Sequence, residues 1–564
     1  MLSALLLVVA LPGRTWIVAP SGGDFTRIQD ALDVAAAGDV VEVYDRPGGY
    51  HEVLVFRRGG DPVQGPLVLR AGPGQRPLVT GGGTTSSDLL RIHDVSHVVV
   101  EGFEFTGLQT LDAAAIRITG ACEDVVLRGN RIHALRGANA GGIWALGTSP
   151  TAPIRRLVIE GNEIHDCDVA PSEALVVSGH VDGFLVADNH VHDVNNIGID
   201  VIGGESWVDP VHVPRHGVVR GNRVERANSV YGGGFAAGLY VDGARDLLLE
   251  GNVVTECDLG IEVGAENAGF DVSGVVVRSN LLYGNLKAGL VFGGYDRAVG
   301  RVRDCEFAFN TLWRNDTTGQ FLGEIWIQWA EDCSVHDNVC VTTDQAVALY
   351  SERGNVGNVL DGNLWWSPAG ADGTEWVWRG VSFPGFAAFR AGTGQEAHGA
   401  FADPLLASPA SGDFTPTAGS PALDAGSPAE AAGLDLLGWP RVLDGDLDGI
   451  ALPDRGAVER HLVTLEVTGA PVPGGPLTVT LDGPAGWSGW LAVGLPGAAR
   501  LPGLGLAALD LGRPHRASFL GALPLNTAWT LPGAVPPGTV VVLQGAGLSA
   551  GLGSLSNPTT MVVE

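Results

Sequence analysis

The chain has 564 residues, with 83 glycines and 34 Lys+Arg against 63 Asp+Glu, for a net charge of -29. Such a length exceeds one ordinary globular core, so several domains or a repeat architecture are expected. A charge of that sign repels nucleic acid and anionic membranes, which excludes both as partners, and it gathers divalent cations.

Residues 1–13 begin with an apolar run that ends at Pro12 and Gly13, and they are expected to act as a signal peptide, although no basic residues lead the run. No later stretch approaches the ~20 apolar residues of a membrane helix, so a secreted or cell-surface protein without membrane insertion is expected. From residue 98 to 366 one phrase recurs: β-forming residues, a polar residue, glycine or a substitute, asparagine, then more β-formers. It reads VVLRGNRI to Ile132, LVIEGNEI to Ile164, GVVRGNRV to Val224 and LLLEGNVV to Val254. The asparagines are Asn130, Asn162, Asn189, Asn222, Asn252, Asn280, Asn310, Asn338 and Asn363, spaced 25 to 33 residues apart.

Between them stands a second phrase, glycine before alternating apolar residues: GIDV from Gly198, GLYV from Gly238, GIEV from Gly260 and GLVF from Gly289. Three short strands per period make one coil of a parallel β-solenoid of about ten coils. Apolar spacing of three and four residues is not sustained anywhere, which excludes helical repeats. Asparagine tolerates left-handed backbone at a sharp bend, and stacked copies can hydrogen-bond to one another.

The segment TWIVAPSGGDFTRIQDALDVAAAGDVVEV resembles the start of pectate-lyase-superfamily β-helices, with a short capping helix from about Phe25 to Ala36. The stretch from NIGIDVIGGE through GLYVDG, GIEVGAEN and LVFGGYD to GEIWIQ is similar to secreted right-handed β-helix repeat proteins. The resemblance covers residues 15 to 460 and implies a right-handed parallel β-helix with a carbohydrate-facing groove. Its relatives include lyases, hydrolases, epimerases and proteins of no assigned activity. It further implies that the asparagine ladder lies between the second and third strands of each coil, with the groove over the first, so the glycine-led phrases supply the groove wall.

Alternation along those strands then sorts the side chains. Ile199, Val201, Leu239, Val241, Ile261, Val263, Ile325 and Ile327 point inward. Asp200, Tyr240, Asp242, Glu262, Glu324, Trp326 and Gln328 point outward. Asp200, Tyr240 and Glu262 form one column on successive coils, about 4.8 Å apart. Glu205, Glu266, Tyr295 and Asp296 follow in the connections and join the substrate-binding set with Tyr240, Glu324 and Trp326.

Two chemistries suit such a groove, with lyase or C5-epimerase chemistry expected ahead of hydrolysis. Asp200, Asp242 and Glu262 can hold Ca²⁺, which would bridge an acidic polysaccharide for a lyase or C5-epimerase, with Lys287 (the sole lysine) or Arg297 as base. Alternatively, two carboxylates separated by about 6.5–9.5 Å can run inverting hydrolysis. A non-catalytic carbohydrate-binding or adhesion surface is the third reading, in which outward acids are simply solvated and Lys287 pairs with Asp258. A polysaccharide partner and a monomer are expected.

Cys122, Cys167, Cys257, Cys305, Cys333 and Cys340 form no compact framework and are expected as buried thiols, Cys305–Cys333 being the one plausible bridge. His133, His165 and His192 each follow a repeat asparagine by three residues and should stack outside the third strand. DGDLDG offers Asp444, Asp446 and Asp448 as a structural Ca²⁺ loop, with Arg455 where a glutamate would complete the pattern. The domains are expected as 14–400 β-helix, 401–460 closing segment and 461–564 C-terminal β-sandwich.

Overall fold

The computed structural model describes residues 13–81, 88–229, 233–428, 433–446, 448, 450–469, 475–483, 488–494, 496–501, 505–509, 515–530, 540–549 and 552–562. The expected signal peptide lies almost entirely outside these residues. Among them, three sheets of 16, 13 and 12 strands, parallel except for the last pair of the 13-stranded one, wrap a continuous core, giving about thirteen coils where about ten were expected. The extra coils lie mostly before residue 98, where strands such as Val40–Val43, Leu54–Phe56 and Leu67–Ala71 form without the asparagine phrase. No helix among the described residues is long and apolar enough to cross a membrane.

In the asparagine-bearing region a coil runs from a first strand to a second, bends at the asparagine, and continues into a third. One example is Leu175–Gly179, Val181–Ala187, Asn189 and His190–Val194. The nine asparagines are at most 1% exposed. Each carboxamide donates to the next copy's Oδ1 at 2.8–3.0 Å, from Asn130 to Asn363. Each also donates to a backbone carbonyl one coil back, as Asn222 does to Val186 at 2.9 Å. Buried amides satisfied on every side hold successive coils in register. The ladder ends on Glu396, whose Oε1 accepts from Asn363 at 2.7 Å and from Trp365 Nε1 at 2.9 Å.

The helix Ile28–Val34 caps one end of the solenoid, within the expected span. Glu52 accepts the Ile28 and Gln29 N–H groups at 3.1 Å each, occupying donors that a helix start leaves open. A second helix, Phe386–Thr393, closes the other end and was not anticipated from the sequence. Its Phe389 stacks on Trp376 at 4.6 Å, and Trp376 packs edge-on to Trp365.

The closing segment folds back over the third sheet: Phe414 packs with Tyr283 and Trp313, and the buried Arg441 reaches Gly456 O at 2.8 Å. Beyond it, antiparallel strands between Thr464 and Val562 form separate sheets around Leu477, Val479, Leu481, Leu491 and Leu543. All six cysteines are buried thiols, with Cys305 and Cys333 on adjacent coils.

Candidate functional site

The glycine-led strands form one sheet, and its register follows the expected column: Val176 beside Asp200, then Tyr240, Glu262, Val291 and Trp326. All eight residues expected to face inward belong to the main core. Asp200, Tyr240, Asp242 and Glu262 point away from that core, yet they are only 1%, 5%, 2% and 9% exposed. Connections from neighbouring coils fold over the sheet and turn an open face into a cavity of about 750 Å³. The reading of these acids as simply solvated therefore fails, because their carboxylates lie beneath loops.

Six carboxylates line the cavity: Glu173, Asp200, Glu205, Asp242, Glu262 and Glu266. Phe235, Tyr295 and Trp326 supply aromatic surface, Tyr295 being largely exposed at the mouth. Apolar pads flank the acids on both sides. Trp144, Leu146, Val176 and Val208 lie toward the N-terminal coils, and Tyr240, Leu259 and Val291 toward the C-terminal ones. A recess of about 240 Å³ beside Trp144 and Trp207 shares Glu173 and Glu205 with the main cavity.

Hydrogen bonds distinguish the acids. Asp242 Oδ1 accepts the Glu266 N–H at 2.8 Å, and its Oδ2 accepts from Asn267 Nδ2 at 3.4 Å. Tyr240 donates to Glu266 at 2.7 Å, and Trp207 Nε1 donates to Glu205 at 2.6 Å. The Tyr240 ring lies where a Cβ at position 264 would sit, 2.7 Å from the hydroxyl, so glycine is required there. Asp200 Oδ1 is buried and without a hydrogen-bond partner, as is Trp326 Nε1.

Burial and mutual repulsion favour the neutral acids. Burial, opposed by the Glu266 N–H and reinforced by Glu266 and Glu205, pushes Asp242 up to about 8. Asp200 is raised well above the usual range by burial and by Glu173 and Asp242. Glu262 is raised by burial and by Glu266, and Glu173 is raised to about 7 chiefly by burial.

Four of the remaining expected site residues, Glu205, Glu266, Tyr295 and Trp326, line this cavity; three do not. Glu324 is fully buried inside a turn, where its carboxylate accepts from Asn315 at 2.6 Å and ends a second, shorter ladder through Asn285. It precedes the strand Ile325–Ile327, so strand alternation does not apply to it. Lys287 donates to Gly233 O at 2.7 Å and sits 3.5 Å over the ring of the cavity-lining Phe235; Asp258 accepts the Ser229 and Ala236 N–H groups, and the Lys287 charge opposes the rise that burial imposes on it. Asp296 caps its own turn through the Ala298 N–H at 2.8 Å.

The sequence reading missed Glu173 and Asn267. Glu173 lies two residues before the strand Leu175–Gly179, in a coil that carries Val176 in the column. Away from the cavity, His133, His165 and His192 stack as expected, with centroids 5.1 and 4.9 Å apart. Asp444 and Asp446 gather with Asp424, one ligand atom from each lying within 4.8 Å of the others, whereas Asp448 caps the next turn through Ile450 N.

Sheets, ladder and cavity together define a right-handed parallel β-helix of the pectate-lyase-like kind. The family described as "Right handed beta helix region" matches residues 85–311. An uncharacterized protein of Bacillus subtilis (strain 168), YwoF, is 30% identical over 430 residues, covering 72% of this chain and 91% of that one. The chain belongs to this right-handed β-helix family. Among solved structures, the native GH136 lacto-N-biosidase from Eubacterium ramulus is similar at 13% identity and a TM-score of 0.40, over 63% of this chain and 64% of that one. Pectate lyase Pel9A is similar at 12% identity and a TM-score of 0.36, over 80% and 98%. These likenesses concern the fold alone.

Proposed function

We propose that this protein is an extracellular glycan-active β-helix that hydrolyses glycosidic bonds, with Asp200 as general acid and Asp242 as general base. The observation carrying this reading is the unequal environment of the two carboxyls. Asp200 is buried with an unpartnered oxygen, whereas Asp242 accepts a backbone N–H and an amide. Hydrogen bonds to an ionised carboxylate stabilise it, so Asp242 loses its proton first and Asp200 keeps one to donate. Asp242 stands one strand over and two residues along from Asp200. That offset puts their backbones about 8 Å apart, and side chains leaving the same face of the sheet from there are compatible with the carboxyl separation of about 6.5–9.5 Å that inversion uses. Tyr295 and Trp326 offer faces for sugar rings.

Among the described residues, the cavity wall carries no Arg or Lys. Lys287 is engaged by Gly233 O and the Phe235 ring. A neutral glycan therefore suits the site better than a polyanion acting alone. The second reading is a lyase or C5-epimerase on an acidic polysaccharide, with Ca²⁺ held by Asp200, Asp242 and Glu262. The unpartnered Asp200 oxygen favours a cation as well as a proton.

The test incubates the full chain with neutral and uronate polysaccharides, with Ca²⁺ or with chelator. New reducing ends without ultraviolet absorbance, undiminished by chelator and lost in Asp200→Asn and Asp242→Asn, support hydrolysis. Absorbing unsaturated ends indicate a lyase, and solvent deuterium entering an unbroken chain indicates an epimerase. Binding without any product indicates a non-catalytic surface.

A further inference from the structure

We infer, resting on the assignment of Asp200 as acid and Asp242 as base, that the recess beside Trp144 and Trp207 holds the sugar that departs when the bond is cut, and that it takes a single uncharged ring. In an inverting displacement water attacks opposite the departing oxygen, so base, reacting carbon, departing oxygen and acid follow one another in that order. Asp242 pairs with Ile202 of the strand that carries Asp200, so it stands one coil toward the C-terminal end. The leaving sugar therefore departs toward the N-terminal coils, and the ring under attack lies on the side of Tyr240 and Trp326.

The recess is on the departing side. Asp200 pairs with Val176, and Val176 with Trp144, which carries the outward column about 10 Å past the acid. Val176 and Trp144 form an apolar floor with Leu146 and Val208. The Trp207 indole stands largely exposed at the rim, oriented by its Nε1, which donates to Glu205 at 2.6 Å. A sugar ring has an apolar C–H face and a polar edge, and aromatic surface with a few placed polar groups matches both. Two such groups are in position. Ser178 leaves the same face of the strand as Val176, is 1% exposed and lines the recess, and its hydroxyl has no hydrogen-bond partner. Glu173 lines the passage shared with the main cavity; burial pushes it up to about 7, so below that pH it carries a proton to donate.

Size and charge set the limits. The recess holds about 240 Å³ against about 750 Å³ for the main cavity, room for one ring. Past Trp144 the column continues with Arg117, whose guanidinium lies 4.7 Å over the Trp144 ring, and then with Arg91. Apolar surface thus gives way to charge after two coils, and a second sugar would find no floor. Among the described residues no Arg or Lys lines the recess, so nothing there answers a uronate. The wall is also preformed. Asp209 Oδ1 accepts the Val211 and His212 N–H groups at 2.8 and 2.9 Å, which shapes the connection behind Trp207. Gly179 adopts φ of +73°, and a Cβ there would stand 2.6 Å from Val208, so glycine lets that connection lie close on the coil.

The test gives the full chain nitrophenyl glycosides and oligosaccharides of two to six units, built from glucose, galactose, mannose or xylose, with the cleaved bond located by ¹⁸O uptake at new reducing ends. Lengthening the leaving part from one sugar to two should not raise kcat/KM. Trp207→Ala should lower kcat/KM about tenfold more on an oligosaccharide than on the nitrophenyl glycoside of the same sugar, and Ser178→Ala about three- to tenfold more. Ser178→Ala removes no existing hydrogen bond, so its melting temperature should match wild type and its loss of rate reads substrate contact. Tyr295→Ala, at the other end of the cavity, should lower both substrates in equal proportion. Equal losses on both substrates in the two recess variants, a selective loss in Tyr295→Ala instead, or a further gain from a second leaving sugar would overturn the inference and leave hydrolysis standing. No cleavage of these probes or of the neutral and uronate polysaccharides would overturn hydrolysis and the inference together.

Discussion

Asp242→Asn separates the burial of this acid from its chemistry. In the folded protein Asp242 is raised from 3.8 to about 8, so between those values the folded state holds a proton that the unfolded chain has released. Stability contributed by that proton is full below about pH 4 and is lost as the pH climbs through 8. The rise corresponds to about 6 kcal/mol at the alkaline end, shared with Glu266 and Glu205, whose charges reinforce it. Asparagine cannot ionise and keeps an oxygen for the Glu266 N–H. The variant should therefore match wild type at about pH 4 and pull ahead as the pH rises, by about 1–3 kcal/mol at pH 8.5, read as a gain of a few degrees in melting temperature. Thermal unfolding followed by circular dichroism across pH 4 to 9 measures this. Parallel curves for the two proteins at every pH would refute the reasoning, because they would mean that Asp242 titrates alike in both states.

If Asp242 is the base, turnover should rise with pH toward its titration near 8, and that limb should vanish in Asp242→Asn along with a loss of about 10²–10⁴ in kcat; initial rates across pH check both. Asn222→Ala should cost about 3–5 kcal/mol, because Asn189 N and Val186 O lose buried partners in mid-ladder, and urea unfolding with soluble yield reports it. Trp207→Ala removes a 64% exposed indole from the cavity rim and should raise KM while leaving kcat nearly unchanged, in steady-state kinetics on the substrate that the polysaccharide panel identifies. Chelator should lower the melting temperature if Asp424, Asp444 and Asp446 hold a structural Ca²⁺, and Asp446→Asn should abolish that response.

The fold was legible because the asparagine phrase and the glycine-led phrase fix both the bend and the strand parity of every coil between residues 98 and 366. The column Asp200–Tyr240–Glu262 follows directly, since two-residue alternation is strict inside a strand. Its failures fall one or two residues outside strands. Glu324 and Glu173 occupy turns, where backbone direction changes and parity carries no information, and the structure turns one into a ladder end and the other into the cavity. Burial of the acids was not legible either, because it comes from loops contributed by other coils. Lys287 illustrates the same limit: its place in the repeat was readable, but its engagement with Gly233 depends on how the connection before Ala237 folds back.

The asparagine ladder also has polarity. Every carboxamide passes one N–H to the next copy toward the C-terminal end and presents its oxygen toward the N-terminal one, so the side-chain-to-side-chain bonds form a one-way wire. Such a wire always leaves one unsatisfied donor at its downstream tip, and a further asparagine would only move that tip along. An ionised or neutral carboxyl group can receive a proton donor without requiring another copy of itself, and Glu396 performs that office just where the second helix shuts the barrel. Solenoid length is thereby set by chemistry as well as by chain length: extending the protein by further coils would require replacing this acid, and cutting it short before residue 396 would leave a live donor and open strand edges ready to recruit a neighbour.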